Sequence, residues 1–165
     1  MDARKTHFIR EAAIFTALIL TAVAFILMAL TAPGANAAVP SYRALDSAAL
    51  NWAEAHATGL PYQYGATGPY SYDCSGLVST AYQRVGVNIG RDTAIQLATN
   101  GEGHFRRVPV ADAPRGAVFF FGTGHEEFQT TNYHMTFGAH DWGTRIGWIR
   151  WGWGWYPTEA FVVVY

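Results

Sequence analysis

Cys74 is the only cysteine in the 165-residue chain, and its neighbours decide what the thiol can do. Asp73 directly before it is a good helix N-cap, and Cys74, Leu77, Val78, Ala81, Tyr82 and Val85 recur at i, i+3, i+4 and i+7. The spacing predicts a helix over 74–85, ended by Gly86, with the thiol in its first turn. Unpaired N–H groups and the positive end of the helix dipole favour a thiolate there, the setting of a nucleophilic cysteine with a lowered pKa. A buried small hydrophobe is the competing reading of a lone cysteine. One thiol makes neither an internal disulfide nor a multi-thiolate zinc site. A nucleophile also needs a base. Among the histidines beyond the N-terminal segment, His134 is the one inside a predicted strand, where a sheet would hold its ring rigidly. A hydrogen-bonded core histidine would carry the same signature.

These residues need elements to position them. Ser47 to His56 carries a rough helical period through Ala48, Leu50, Trp52, Ala53 and Ala55, and stops at Gly59-Leu60-Pro61. An aromatic loop rich in turn formers, Pro61 to Pro69, leads into the Cys74 helix. A short helix is expected over 92–99. Segments 117–121, 133–139, 145–151 and 160–165 are β-branched and aromatic, bounded by Gly, Pro or Asp, and read as strands. Helices first and strands after predict an α+β fold rather than alternating α/β.

Composition narrows the function. Half of the positions are hydrophobic and 14% are charged, which excludes a disordered chain. A formal net charge of −1 leaves no basic stripe for a phosphate backbone, so nucleic acid is excluded as a partner class. Arg4, Lys5 and Arg10 precede an uncharged apolar run from Ala12 to Leu30, and Ala35-Asn36-Ala37 is a small-x-small cleavage pattern. Residues 1–37 therefore read as a secretory signal peptide, with an uncleaved outward-facing membrane anchor as the alternative. Residues 38–165 form one domain expected outside the cytoplasm, with eight arginines, no lysine and ten acidic residues.

The string Pro61-Tyr62-Gln63-Tyr64-Gly65-Ala66-Thr67-Gly68-Pro69, followed by Tyr72-Asp73-Cys74-Ser75-Gly76-Leu77-Val78, resembles the signature of the NlpC/P60 family of cell-wall cysteine peptidases. So do Gly86 to Thr93 with Gln96, Pro114 to Phe121, and Tyr133-His134-Met135-Thr136-Phe137-Gly138. The resemblance implies a papain-like α+β core, with the nucleophile's helix packed on an antiparallel sheet that carries the histidine. It casts Cys74 as nucleophile, His134 as general base, and Tyr62 as a hydrogen-bond donor near the oxyanion beside the Cys74 N–H. Asp73 and Ser75 flank the thiol where the family binds the polar end of a peptidoglycan stem peptide. Neither metal nor cofactor is implied. Gly90, Asp92 and Ala117 depart from the family pattern away from the nucleophile, and the third catalytic position lands on apolar Ile146.

The resemblance implies hydrolysis of stem peptides at the bond between γ-D-glutamate and the diamino acid. An N-acetylmuramoyl-L-alanine amidase would use the same Cys/His pair. A catalytically silent wall-binding module is the rival from another class, with Trp151, Trp153 and Trp155 as a sugar platform; the alternative for these indoles is a place in the core. His140 is expected at an exposed loop edge, about 20 Å from His134 at roughly 3.3 Å per residue of strand; a strand that breaks at Gly138 would instead let it fold back as a third catalytic member. A Trp142-Gly143 turn would pair Phe137 with Trp148. If Cys74 is the nucleophile, Cys74→Ala or iodoacetamide treatment abolishes peptide release from purified cell walls. Release by the alanine variant at the wild-type rate would refute the enzymatic reading.

Overall fold

The computed structural model describes residues 41–90, 105–132 and 134–164. Helix α1 spans Tyr42–Ala57, five residues earlier than its apolar period alone suggests, because Ser41 caps it through a bond accepted from the Ala44 N–H. Helix α2 spans Cys74–Arg84, and the Asp73 side chain accepts from the Gly76 N–H as the sequence predicts. The expected helix over 92–99 lies outside the described residues.

Among the described residues, six strands form one antiparallel sheet in the order β1-β6-β2-β3-β4-β5. Strands β2 (Val118–Phe120), β4 (Met135–Gly138), β5 (Gly147–Arg150) and β6 (Glu159–Val163) arise where β-branched and aromatic residues predict them. Two strands have no such signal, β1 (Phe105–Val108) and β3 (Glu126–Gln129). Phe137 stands opposite Trp148, the register that a turn at Trp142-Gly143 requires. Strand β4 is shorter than expected at both ends. His134 precedes it in a turn with φ +62°, a conformation no strand residue adopts, and the strand stops at Gly138, short of His140.

Alternation along the strands divides the hydrophobic residues between two faces. Val118, Phe120, Phe128, Phe137 and Phe161 pack under Leu45, Leu50 and Ala53 of α1 and Leu77, Val78, Ala81 and Tyr82 of α2. On the opposite face Phe119, Phe121 and Ala160 are covered by Trp151 and Trp155. The helices approach the sheet closely. At Gly116, with φ +87°, a Cβ would come within 2.2 Å of the Asp46 carbonyl oxygen. Among the described residues no helix is long and apolar enough to cross a membrane.

One buried carboxyl ties the layers together. Asp46 Oδ1 accepts from the Tyr82 hydroxyl at 2.7 Å and from the Val163 N–H at 3.0 Å, joining α1 to α2 and β6. Burial raises its pKa from an ordinary 3.8 to about 6, against the lowering effect of those two bonds. The folded chain therefore holds this proton more tightly than the unfolded chain does, so stability falls as pH rises from about 4 to 6 and the penalty is complete above that window. The change is worth about 3 kcal/mol. Asp46→Asn should keep the acceptor and remove this component of the slope, measured as a flatter difference between denaturant melts at the two ends of the window.

Candidate active site

The segment between the helices is sewn to the β4–β5 turn. Gly59 N–H donates to Ile146 O, Ile146 N–H to Leu60 O, and Tyr62 N–H to Thr144 O, at 2.9, 2.9 and 3.1 Å. Asp73 fastens the other end, one carboxylate oxygen capping α2 and the other accepting from the Gly65 N–H at 2.6 Å. These bonds bring Tyr62 to the start of α2, where Cys74 stands. Both join Gly124, His125, His140, Asp141 and Trp155 around an open cleft of about 300 Å³.

Cys74 lies in the first turn of α2, yet its surroundings oppose ionisation at rest. Burial, and then the Glu126 carboxyl, push its thiol up to about 11, while the N–H groups of Glu126 and Ser75 favour the thiolate. The lowered pKa expected from the helix terminus alone is thus reversed by desolvation and a neighbouring acid. Glu126 is itself fully buried, and neither carboxyl oxygen has a hydrogen-bond partner among the described residues. Burial and then Asp73 raise its pKa to about 8, so at neutral pH it stands uncharged beside the thiol.

The next residue of β3 points to the opposite face. Glu127 Oε1 lies 3.1 Å from His125 Nε2 and 3.1 Å from His140 Nδ1, and Thr136 donates to the other oxygen. Although burial opposes the charge, the bonds from His125, His140 and Thr136 and the charge of His125 hold the carboxyl below the ordinary range. The bond to Glu127 in turn raises the pKa of His140 against the effect of burial. Space for this carboxylate comes from Gly138, where a Cβ would come within 2.5 Å of Glu127 Cγ. Trp155 closes the back of the pair, its ring 4.7 Å from that of His140 and stacked at 3.8 Å on Phe121.

The structure corrects the position of the predicted base. His134 lies at the start of β4, at the opposite end from His140, and packs 4.1 Å from the Trp151 ring. It lines a separate cavity with Arg150, Trp153 and Tyr156. The strand that brings a histidine to the cleft with Cys74 is β3, through His125. His140, expected at a loop edge, turns inward because β4 ends at Gly138. Asp73 and Ser75, expected to bind substrate, are buried; Asp73 straps the loop and caps the helix, and Ser75 donates to Asp73 at 3.4 Å. The three tryptophans do not share a face, for Trp151 and Trp155 pack inward whereas Trp153, at φ +51°, is 90% exposed. Sequence reasoning passes over His125 and Glu127, and weighs His140 but sets it at a loop edge. The available signal is the i, i+2 spacing of His125 and Glu127, which places both on one face of a strand.

Residues 59–138 match the NlpC/P60 family. A probable endopeptidase of Corynebacterium glutamicum is 39% identical over 102 residues, 56% of this chain and 46% of that protein. The gamma-D-glutamyl-L-lysine dipeptidyl-peptidase of Bacillus subtilis is 34% identical over 77 residues, 47% of this chain and 24% of that protein. The chain thus spans less than half the length of these curated relatives. Its fold is that of the P60 domain of an M. avium subspecies paratuberculosis antigen, with TM-score 0.57 and 22% identity over 74% of this chain and 95% of that one. The peptidoglycan hydrolase RipB of Mycobacterium tuberculosis superposes with TM-score 0.57 and 26% identity, over 74% of this chain and 65% of that one.

This geometry separates the histidines experimentally. His125→Ala should lower turnover by about 10²-fold or more, the scale of a missing acid–base group, while His134→Ala stays near the wild-type rate. Initial rates of peptide release from purified walls decide between them. Glu126→Gln removes the charge that appears beside the thiol above about pH 8. Alkylation of Cys74 should then be faster than in wild type by up to about tenfold in alkaline buffer, and unchanged near neutrality. Rates of iodoacetamide uptake across that range measure the difference.

Proposed function

Because residues 59–138 belong to the NlpC/P60 family, we propose that this chain is a secreted cysteine endopeptidase that hydrolyses peptidoglycan stem peptides at the bond between γ-D-glutamate and the diamino acid. The observation that carries the reading is that Cys74, at the start of a helix, shares one cleft with His125 and Tyr62. With Nε2 of His125 held by Glu127, Nδ1 is the ring nitrogen left to take the thiol proton. The thiolate attacks the carbonyl carbon, and the oxyanion meets the Cys74 N–H and the Tyr62 hydroxyl. Burial, and then the Cys74 thiol, hold that phenol above its ordinary pKa, which keeps it a donor. His125 passes its proton to the leaving amine, and water then hydrolyses the thioester.

Glu127 serves as the orienting third member, fixing the His125 tautomer as the acid of a catalytic triad does. It supplies the polar group whose apparent absence favours a silent wall-binding module, and so supports the enzymatic reading. The choice of bond draws on the dipeptidyl-peptidase relative, whose name specifies a γ-D-glutamyl-L-lysine bond. Export through residues 1–37 places the domain at the wall. Mass spectrometry of digested peptidoglycan tests the proposal directly. Fragments newly ending in D-glutamate, absent with Cys74→Ala, are the expected products; fragments cut between the glycan and L-alanine would establish an amidase instead.

A further inference from the structure

The Glu127 carboxylate does more than orient one ring. Its Oε1 is 3.1 Å from His125 Nε2 and 3.1 Å from His140 Nδ1, and the three residues each bring a ligand atom within 4.8 Å of the others. A tetrahedral zinc-class ion with ligands at about 2.0–2.2 Å needs donor atoms roughly 3.3 Å apart; the two carboxylate–imidazole separations already match this, and rotation of the imidazole rings toward each other completes the coordination sphere. The donor set discriminates. Two imidazole nitrogens and one carboxylate oxygen suit zinc-class ions, whereas calcium and magnesium take oxygen ligands. The site is also built rather than adventitious. Thr136 holds the second oxygen of Glu127, Gly138 leaves room for its stem, and Trp155 packs against both rings. Side chains of the two histidines are 18% and 30% exposed, so an ion reaches them through the cleft.

We propose that His125, Glu127 and His140 form a zinc-class cation site in the cleft, and that its occupation reversibly switches the thiol centre off. The ion takes the lone pairs of His125 Nε2 and His140 Nδ1. The proton on each of these nitrogens leaves to solvent, and solvent returns one proton to the opposite nitrogen of the ring, so each imidazole stays neutral. A neutral His125 ring ligated through Nε2 carries its remaining proton on Nδ1. It then has no lone pair with which to accept the proton of Cys74. Removing the ion restores the proton on Nε2 and frees Nδ1. The fourth coordination position opens on the cleft, where water completes the sphere. The cation site stands on geometry alone; the inhibition rests on the peptidase reading above.

The test uses the full chain carrying Cys74→Ala, so that the thiol contributes no binding. Titration with Co²⁺ near neutral pH should give saturable visible d–d absorption at one ion per chain, displaced by Zn²⁺. Adding His140→Ala or Glu127→Gln should abolish the band, and adding His134→Ala should leave it intact; circular dichroism confirms that each variant is folded. No saturable band, or a band that survives His140→Ala, overturns the site. In the wild-type chain Zn²⁺ should stop peptide release and EDTA restore it, with His140→Ala raising the inhibitory concentration about tenfold or more. A cobalt band with peptide release insensitive to Zn²⁺ overturns the switch. A cobalt band in a wild-type chain that releases no peptide even with EDTA refutes the peptidase reading and leaves the site standing.

Discussion

A carboxylate removed from water persists as an anion only where donors surround it, and Glu127 meets that condition with groups from three places in the chain. His125 comes from the entry to its own strand, Thr136 from the adjacent strand, and His140 from just beyond that strand's end. Each is fixed by a bond to the same side chain, and the bonds fail together if the carboxylate moves. A buried ion network of this kind adds little net stability compared with hydrophobic packing, because desolvation offsets attraction. Its effect is orientation. The ring of His125 and the inward turn of His140 both follow from it, and Gly138 is the residue that makes room.

The sheet separates this polar network from a second one. On the helical face, Asp46 and Tyr82 hold α1, α2 and β6 in one arrangement beside the apolar cluster. On the other face, tryptophans replace helices as the cover, with Trp155 serving both the Phe121 stack and the histidine pair. Large aromatic rings thus complete a core for a domain without a disulfide, and also exclude water from one wall of the cleft. Core packing and the wall of the cleft meet at the same indole.

The parts of the fold legible in the sequence are those where local chemistry and burial agree. Helix α2 shows its cap, its apolar period and its terminating glycine, and β2, β4, β5 and β6 show aromatic or β-branched residues between turn formers. Strand β3 is illegible for a definite reason: two adjacent glutamates have low strand propensity, and their burial rests on donors from elsewhere in the chain for Glu127 and on the uncharged form for Glu126. That strand follows directly on His125 and carries Glu127, so the element hardest to read is the one that matters most to the cleft. The placement of His134 fails for a related reason. Hydrophobic pattern extends β4 backward through Tyr133, but a left-handed turn at His134 is a conformational choice that side-chain polarity does not reveal. Cys74 and Tyr62 are read correctly into the cleft because a helix start and a proline-bounded loop fix their positions locally.

Glu126 and Glu127 are consecutive residues of one strand and therefore face opposite sides of it, one beside the thiol and the other beside the imidazoles. The pleat alone keeps their tasks apart. Shifting β3 by a single residue would carry each carboxyl to the other's side and turn Phe128 out of the core. The short connection from Phe121 to His125 thus behaves as a gauge for the reaction centre. Its length is held by chemistry on both sheet faces, and an insertion or deletion there would be far more damaging than its exposed, glycine-containing composition suggests.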